Sequence, residues 1–299
     1  MRYGIPYKGS KNKIAEKVVA FLPSGERLVD ICAGGCAITH AALLSGKWGS
    51  VLANDIDPMP LRLFDDAVHG RLKDRTEWVS REMFFAMKDT DPYIRYAWSF
   101  GNNGRVYLYS KELEPYKKAL HEMIFAPTPT ERRLKYRTVN RLARGLMGHS
   151  EDTTGQLESL QRLQSLERLQ SLQRLESLQS LESLERLQSL QISNLDYAAV
   201  PLKDGDIVYA DIPYKDCYVE AYMKGFDHQR FYDWAAACAY PVFISEYKIE
   251  DDRLKLVHSI PKRQLSVSTG AGKLVDENIY ANEAAVKLLQ SETLFEVTI

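Results

Sequence analysis

A glycine turn between an apolar run and a helical segment constrains the fold of this chain most. Residues 27–31 (RLVDI) predict a short buried strand that runs into the glycines at 34 and 35, and residues 37–44 predict a helix. Residues 50–53 (SVLA) predict a second strand, which ends on Asn54 and Asp55. Strand, glycine turn, helix, strand and acid in this order are typical of a doubly wound α/β sheet that binds a nucleotide at its carboxyl edge.

Apolar runs of strand length return after residue 200. Residues 206–210 (DIVYA) predict a strand, residues 229–239 predict a helix, and residues 241–245 (PVFIS) predict a further strand. We therefore expect residues 1–64 and 191–299 to form one α/β domain that a long insertion interrupts.

The insertion has two parts of different composition. Residues 65–150 are rich in aromatic and charged side chains and predict a smaller, mostly helical domain. Residues 151–190 hold a low-complexity repeat, in which a leucine stands at every third position from Leu157 to Leu190 with only Gln, Glu, Ser and Arg between them. The repeat must be considered separately from the two domains.

No common secondary-structure element places every third residue on one face over so long a segment. Successive leucines drift by about 60° around an α-helix, stack on one face only in a 3₁₀-helix, and scatter along a strand. The good helix formers between the leucines favour a helix, and a solenoid with an axial leucine core is the alternative. We interpret the repeat either as a spacer or partner surface, or as a tolerated expansion within a loop.

Composition excludes several classes of protein. The 299 residues carry 39 Lys and Arg against 40 Asp and Glu, which argues against a histone-like protein but allows a local basic surface. No apolar run approaches the roughly 20 residues of a membrane span, so we expect a cytoplasmic protein with no membrane partner. The four cysteines lack disulfide or Cys/His ligand spacing, so we expect reduced thiols and no metal.

Two strand ends carry candidate functional residues. At the first, the backbone of Gly34 and the acid Asp55 suit a cofactor with a ribose diol, although they do not distinguish a dinucleotide from another adenosyl cofactor. At the second, Asp211 and the following carbonyl offer two acceptors for an exocyclic amino group. Pro213 then stiffens the turn, and the ring of Tyr214 offers a face on which a base can stack. Turns of the type Asp-x-Pro-aromatic are common, however. The candidate motif consists of Asp211, Ile212, Pro213 and Tyr214.

The order of these pieces resembles the Dam-like family of DNA adenine-N6 methyltransferases. The resemblance covers roughly residues 3–60 and 195–290 and rests on the segments YKGSK (7–11), DICAGGC (30–36), ND (54–55), DIPY (211–214), GFDH (225–228) and VFIS (242–245). It implies a Rossmann-like methyltransferase sheet, an inserted DNA-recognition domain at 65–150, and methyl transfer from S-adenosylmethionine to a flipped adenine in double-stranded DNA. A cognate restriction endonuclease is a possible partner.

The same resemblance implies roles for individual residues. Asp211, Ile212, Pro213 and Tyr214 would form the catalytic motif that holds the target base. The cofactor would be bound by Tyr7 and Lys11 at its methionine end, by Asp55 at its ribose, and by a loop that contains Asp30, Cys32 and Gly34.

Two positions depart from the family pattern. Ile212 stands where the usual D-P-P-Y motif has its first proline, and its carbonyl remains available while the φ restriction of proline is lost. We therefore expect a less preorganised loop and a lower rate. In the glycine loop, Cys32 replaces an aromatic residue and Cys36 replaces a later glycine. A conformation with positive φ would strain Cys36, whereas a helix-start conformation would accept it.

The predicted inserted domain offers a DNA-binding surface. Six cations lie within thirteen residues, which suits contacts to phosphates, although a solvated helix face is the alternative; they are Arg132, Arg133, Lys135, Arg137, Arg141 and Arg144. The nearby residues Trp98, Phe100, Asn102 and Asn103 supply either base contacts or part of a core.

Three other functions compete with adenine methylation. A methyltransferase of this type can act on another amino group, such as cytosine N4 or an RNA base. A homologue that has lost catalysis would still bind DNA, and a scaffold protein would use the leucine repeat as its functional part. Binding of S-adenosylmethionine separates the enzymes from the scaffold, and methyl transfer separates an active enzyme from a degenerate one.

Overall fold

The computed structural model describes residues 3–147, 170–183, 189–215, 226–265 and 272–296. Two compact units make up the chain: Met1–Val68 with Ser183–Ile299, and His69–Glu182. No helix in the described part of the chain is long and apolar enough to span a membrane.

The helices and strands follow one another along both units. The described helices are α1 (Ala15–Phe21), α2 (Ala37–Ser45), α3 (Pro58–Val68), α4 (Arg81–Met87), α5 (Pro92–Ala97), α6 (Glu114–Ile124), α7 (Pro129–Met147), α8 (Gln170–Gln179), α9 (His228–Ala237) and α10 (Glu283–Glu296). The described strands are β1 (Gly25–Asp30), β2 (Trp48–Asn54), β3 (Leu190–Ser193), β4 (Asp206–Asp211), β5 (Val242–Glu246), β6 (Lys255–Leu265) and β7 (Gly272–Ala281).

The strands form one mixed sheet in the first unit, in the order β3-β2-β1-β4-β5-β7-β6. The five strands from β3 to β5 pair in parallel, whereas β7 pairs antiparallel with β5 and with β6. This mixed α/β sheet fits a methyltransferase fold. The strands predicted near residues 27, 50, 206 and 241 all occur, with ends that shift by at most two residues.

The central strands β1 and β4 are joined by a buried ion pair. Arg27 and Asp206 are register partners, and the guanidinium donates from Nε to Oδ1 at 2.9 Å and from Nη2 to Oδ2 at 2.6 Å. The contact joins two segments that are 179 residues apart in the chain. Because a bidentate pair of this kind requires one geometry, it specifies the register in which the two halves of the sheet meet.

The core of the first unit lies against both central strands. Val29 of β1 and Val208 and Ala210 of β4 belong to one buried cluster, together with the α9 residues Phe231, Tyr232 and Ala235. Ile212, which directly follows β4, belongs to the same buried cluster and is 2% exposed. The core therefore holds the second residue of the candidate motif in place.

The second unit is helical and has an aromatic core. Trp98 and Tyr107 are fully buried, and the rings of Trp98 and His121 contact Trp78 edge-on at 5.1 and 5.5 Å. Two of its helices begin on a side-chain cap, since Ser80 accepts from Met83 N and Asp91 accepts from Ile94 N. Of the residues proposed for base contacts, Trp98 is thus part of a core.

Part of the leucine repeat folds as a helix in this second unit. Leu175, Leu178 and Leu181 are buried, and the α-helix gives way to a 3₁₀ turn at Ser180–Ser183. Two steps of about 60° spread three leucines over about 120°, which one face of a short helix accommodates, and a 3₁₀ turn adds no further drift. Residues 157–169 and 184–188 lie outside the described part of the chain, so the solenoid alternative stays a prediction for them.

The repeat ends within the sheet of the first unit. Leu190 pairs with Val51 as the first residue of β3. Beyond this strand, the Asn54 amide accepts from Ser193 Oγ at 2.7 Å and from Leu195 N at 3.0 Å, and it donates to the Ile31 carbonyl at 3.0 Å. The domain boundaries that we predict after residues 64, 150 and 190 stay a prediction. The two compact units of the structure meet in the sequence after residues 68 and 182.

We predict that Arg174 in the repeat stabilises the second unit. Its Nη1 donates to the carbonyls of Ala97 and Ser99, both at 2.7 Å. Arg174→Ala should lower the free energy of unfolding by about 2 kcal/mol in urea denaturation, because both carbonyls lose a charged donor. The matched variant Glu176→Ala removes an exposed side chain of the same helix and should change it by less than about 0.5 kcal/mol. Equal effects of the two variants would contradict this role.

Candidate active site

Three carboxylates lie at the carboxyl edge of the sheet. Asp30 ends β1, Asp55 follows β2, and Asp211 ends β4. These strands are neighbours in a parallel arrangement, so their ends meet at one edge, which is where open α/β sheets bind ligands.

The glycine loop after β1 is held by Asp55. The Gly34 amide donates to Asp55 Oδ2 at 2.8 Å, and the Asp57 amide donates to Oδ1 at 2.9 Å. Gly34 has a φ of +45°, and a Cβ at Gly35 would lie 2.6 Å from the Cβ of Tyr7. Both glycines are therefore needed for the loop to fold under the tyrosine.

Cys36 adopts the strained one of the two conformations that the sequence leaves open. Its φ is +56° and its ψ is 32°, a left-handed conformation directly before α2. A side chain in this region costs of order 1–2 kcal/mol relative to glycine. The turn is tight because Cys36 N donates to the Ala33 carbonyl, at 2.7 Å.

Asp30 is bound to the start of helix α2. The amide and hydroxyl of Thr39 donate to its Oδ2 at 3.1 and 2.7 Å, and the residue is 1% exposed. Burial raises the pKa of Asp30 to about 7, although the bonds from Thr39 oppose the shift. The described contacts of Asp30 orient the loop and its following helix.

Cys32 shows the electrostatic character of this edge. Burial raises the pKa of its thiol well above the ordinary value, and four carboxylates add to the effect, those of Asp55, Asp30, Asp211 and Asp196. The edge is therefore electronegative. Such a set of acidic acceptors fits a cofactor that carries positive charge and a ribose diol.

Lys11 forms an ion pair with Asp211, the last residue of β4. Its Nζ is 2.5 Å from Asp211 Oδ1, and the side chains are 7% and 23% exposed. Burial lowers the pKa of Lys11, but Asp211 and a second acid, Glu277, outweigh burial and raise it. Burial raises the pKa of Asp211 and Lys11 opposes that shift. The predicted role of Lys11 at the methionine end of a cofactor stays a prediction.

The remaining motif residues form a supported turn after β4. The carbonyl of Pro213 accepts from His228 Nε2 at 2.7 Å. The ring of Tyr214 lies 4.6 Å from Lys11 Nζ and meets the ring of Tyr247 at 64°, with centroids 4.5 Å apart. Lys11 thus brings the acid and the aromatic ring of the motif together.

Several residues at this site have no signal in the sequence. Glu277 on β7 accepts from the Tyr214 hydroxyl, and Lys262 on β6 donates to Glu277. Glu246 accepts from Lys215 N at 3.3 Å, and burial raises its pKa to about 7. These charged residues stand in strands without a motif around them, so only their burial reveals them. The GFDH segment was the one available signal for His228.

The predicted basic run lies on helix α7 of the second unit. At about 100° per residue, Arg133, Arg137, Arg141 and Arg144 fall within an arc of roughly 80°. This arginine stripe, as we call these four residues, is exposed and lies opposite the buried Val139 and Ala143. Arg132 is exposed outside the stripe, and Lys135 binds Glu122 of α6 at 2.5 Å.

A short 3₁₀ turn at Phe100–Asn102 presents one apolar ring to solvent. Phe100 is 63% exposed. Asn102 donates to the Tyr96 carbonyl at 3.1 Å, and Asn103 Oδ1 accepts from Arg105 N at 2.8 Å, so both amides serve the turn.

A comparison with protein families identifies the family of this chain. Residues 7–239 match the family of D12 class N6 adenine-specific DNA methyltransferases. The chain belongs to this family. The resemblance that we draw from the motifs is confirmed, and a comparison with curated proteins found no match. In this methyltransferase the match includes the glycine loop, Asp55 and the motif after β4, but it ends before β5.

We predict that Asp30 makes the stability of the methyltransferase depend on pH. The native state retains the proton up to about pH 7, whereas the unfolded chain releases it near 3.8, so the free energy of unfolding should fall as the pH rises through this window. Relative to Asp30→Asn, the wild type should lose on the order of 2–4 kcal/mol between pH 4 and pH 8 in urea denaturation. The exposed Asp204→Asn serves as the control, and a constant difference across the window would refute the assignment.

Proposed function

We propose that the protein is a site-specific methyltransferase that transfers a methyl group from S-adenosylmethionine to N6 of an adenine flipped out of double-stranded DNA. The observation that carries the proposal is the motif after β4, where Lys11 Nζ contacts both Asp211 Oδ1, at 2.5 Å, and the ring of Tyr214, at 4.6 Å from its centroid. Membership of the adenine-specific family supports the substrate class.

Asp211 and the carbonyl of Ile212 prepare the amino group for attack. The lone pair of an adenine amino group is delocalised into the ring, which makes N6 a poor nucleophile. Accepting both N6 hydrogens localises the lone pair and orients it, so that much of the barrier is removed by positioning. The buried side chain of Ile212 holds its carbonyl in place by packing, which substitutes in part for the ring of the usual proline.

Tyr214 receives the flipped base. A base inside a duplex is out of reach, and extruding it costs a few kcal/mol. Stacking on an aromatic ring returns about 1–3 kcal/mol. The ring is held at its edge by Tyr247 and at its hydroxyl by Glu277, so it is ordered before the base arrives.

The cofactor residues lie at the same electronegative edge. We assign Asp55, the backbone of the loop at Cys32 and Gly34, and Tyr7 to S-adenosylmethionine, with Asp30 orienting the loop from beneath. When bound, the cofactor supplies the electrophilic methyl group. The surrounding carboxylates match its positive charge.

The arginine stripe on α7 is the proposed contact to DNA phosphates. Its four guanidinium groups share one exposed face, which suits a backbone that carries regular negative charge. The second unit is accordingly the proposed recognition domain, with Phe100 as an apolar wedge. A cognate restriction endonuclease stays a prediction.

We predict that purified protein labels adenine when it is incubated with methyl-labelled S-adenosylmethionine and mixed-sequence duplex DNA. Digestion to nucleosides should give N6-methyl-2′-deoxyadenosine as the labelled product. No label, or label only on cytosine, would refute the proposal in favour of one of the competing functions. Sequencing of methylated DNA from cells that express the protein then identifies the site.

We predict that Asp211→Ala abolishes the transfer but not cofactor binding. The loss of one acceptor for N6 should lower kcat by at least about 100-fold. The dissociation constant for S-adenosylmethionine, measured by calorimetry, should stay within a few fold, and Asp204→Ala is the control for an exposed acid. Retained activity in Asp211→Ala would show that another residue accepts the amino group.

We predict that the arginine stripe determines the salt dependence of DNA binding. Substituting both Arg137 and Arg141 by alanine should reduce the slope of log K against log salt by about 2, because each lost phosphate contact contributes about 0.9. Arg253→Ala is the matched control, since that guanidinium binds Asp233 and Asp251. An unchanged slope in the double variant, measured by fluorescence anisotropy on duplex DNA, would place the DNA elsewhere.

A further inference from the structure

One buried acid lies at the centre of the target-base residues without belonging to the motif. Glu277 of β7 is fully buried, and its chain position lies beyond the residues that match the family. A buried carboxylate is costly unless charged and hydrogen-bonding partners surround it. The contacts of Glu277 therefore show what this acid stabilises.

Each oxygen of Glu277 has a definite partner. Oε1 accepts from the hydroxyl of Tyr214 and lies 3.3 Å from Lys11 Nζ. Oε2 accepts from Lys262 Nζ. Lys11 simultaneously binds Asp211, so two lysines and two acids form a closed cluster around the tyrosine. Lys262 and Glu277 both belong to the β6–β7 hairpin, which adds the second half of this cluster to the motif after β4.

The cluster restrains the ring on which the base is to stack. The Nζ atoms of Lys11 and Lys262 lie 4.6 and 5.5 Å from the centroid of Tyr214, while its hydroxyl is held by Glu277. A tyrosine side chain has two rotatable bonds, so anchoring its far end removes most of its remaining freedom. Burial raises the pKa of Tyr214, and the neutral hydroxyl remains a donor to the carboxylate.

Glu277 also affects Asp211 through Lys11, because Lys11 forms ion pairs with both acids. Asp211 must offer its carboxylate to the adenine amino group, yet Lys11 occupies one of its oxygens. A second negative charge beside Lys11 weakens its exclusive pairing with Asp211. Without that charge, the ammonium group competes more strongly with the base.

We propose that Glu277 is a positioning residue of the target-base site, which anchors Tyr214 for stacking and shares Lys11 with Asp211. The inference rests on the proposed function. Glu277 itself touches neither the base nor the cofactor and acts through these two side chains.

The test compares Glu277→Gln with wild type and with Glu283→Gln, a matched substitution at an exposed acid of α10. Steady-state methylation is measured on a duplex that carries the site mapped for the wild type. The kcat of Glu277→Gln should fall by about 10- to 100-fold through misplacement of the reacting groups, while binding of S-adenosylmethionine stays within about threefold. A duplex with 2-aminopurine at the target position should show a smaller fluorescence increase, since a less ordered Tyr214 stabilises the flipped state less and more of the base stays stacked in the duplex.

The pH profile gives a result that a merely structural role does not produce. The charge of Glu277 contributes to the raised pKa of Asp211, so its removal should move the acid limb of kcat to lower pH. The other groups that act on Asp211 are all still present in the variant; they are Lys11, Lys262, Asp30, Asp55, Glu246, Tyr209 and Tyr214. Glu277→Asp retains the charge with a shorter reach, so it should lower kcat without moving the limb.

The outcomes separate the two proposals. A lower kcat with a shifted acid limb and intact cofactor binding supports the inference. If the wild type is active and Glu277→Gln behaves like Glu283→Gln, the inference alone is overturned. Parallel losses of cofactor binding and thermal stability in both Glu277 variants would make the acid merely structural and would overturn it as well. If the wild type transfers no methyl group to adenine, the proposed function fails and the inference with it.

Discussion

The bidentate pair of Arg27 and Asp206 is the contact on which the catalytic edge depends. It joins β1 to β4 in one register across 179 residues of intervening sequence. Successive side chains of a strand point to opposite faces of the sheet. A slip of one residue in the register of β4 would therefore turn the Asp211 side chain away from the glycine loop. The ion pair therefore determines that the glycine loop and the motif after β4 face the same space.

The candidate site is organised by charge balance in a buried setting. Carboxylates dominate the edge proposed for the cofactor, where Asp55 holds the loop at Gly34. Around the residues proposed for the target base, two lysines balance Asp211 and Glu277. Each buried charge in this cluster has a partner of opposite charge. Burial strengthens the attraction between paired charges, whereas it would penalise an unpaired one. The cluster can therefore be stable and still present one carboxylate to a substrate.

The secondary structure of the leucine repeat depends on its surroundings, because a leucine at every third position fits no single element. A spacing of three produces no apolar face in a long α-helix, but the described segment is short and ends in a 3₁₀ turn. Over that length three leucines reach one core, and Arg174 satisfies two carbonyls of the helical unit. A repeat that reads as an insert thus supplies part of a folded unit.

The sequence by itself determined the α/β class, the family and the two strand ends that carry the site, because strand periodicity, glycine turns and motif order are local properties. It also located the basic run, but only the helix showed that four of its arginines share a face. Only the tertiary structure decided the conformation of Cys36 and the participation of Glu277 and Lys262. Those residues come from an antiparallel hairpin distant in sequence, and no local pattern encodes which side chains such a hairpin brings to Tyr214, since that depends on strand register and burial.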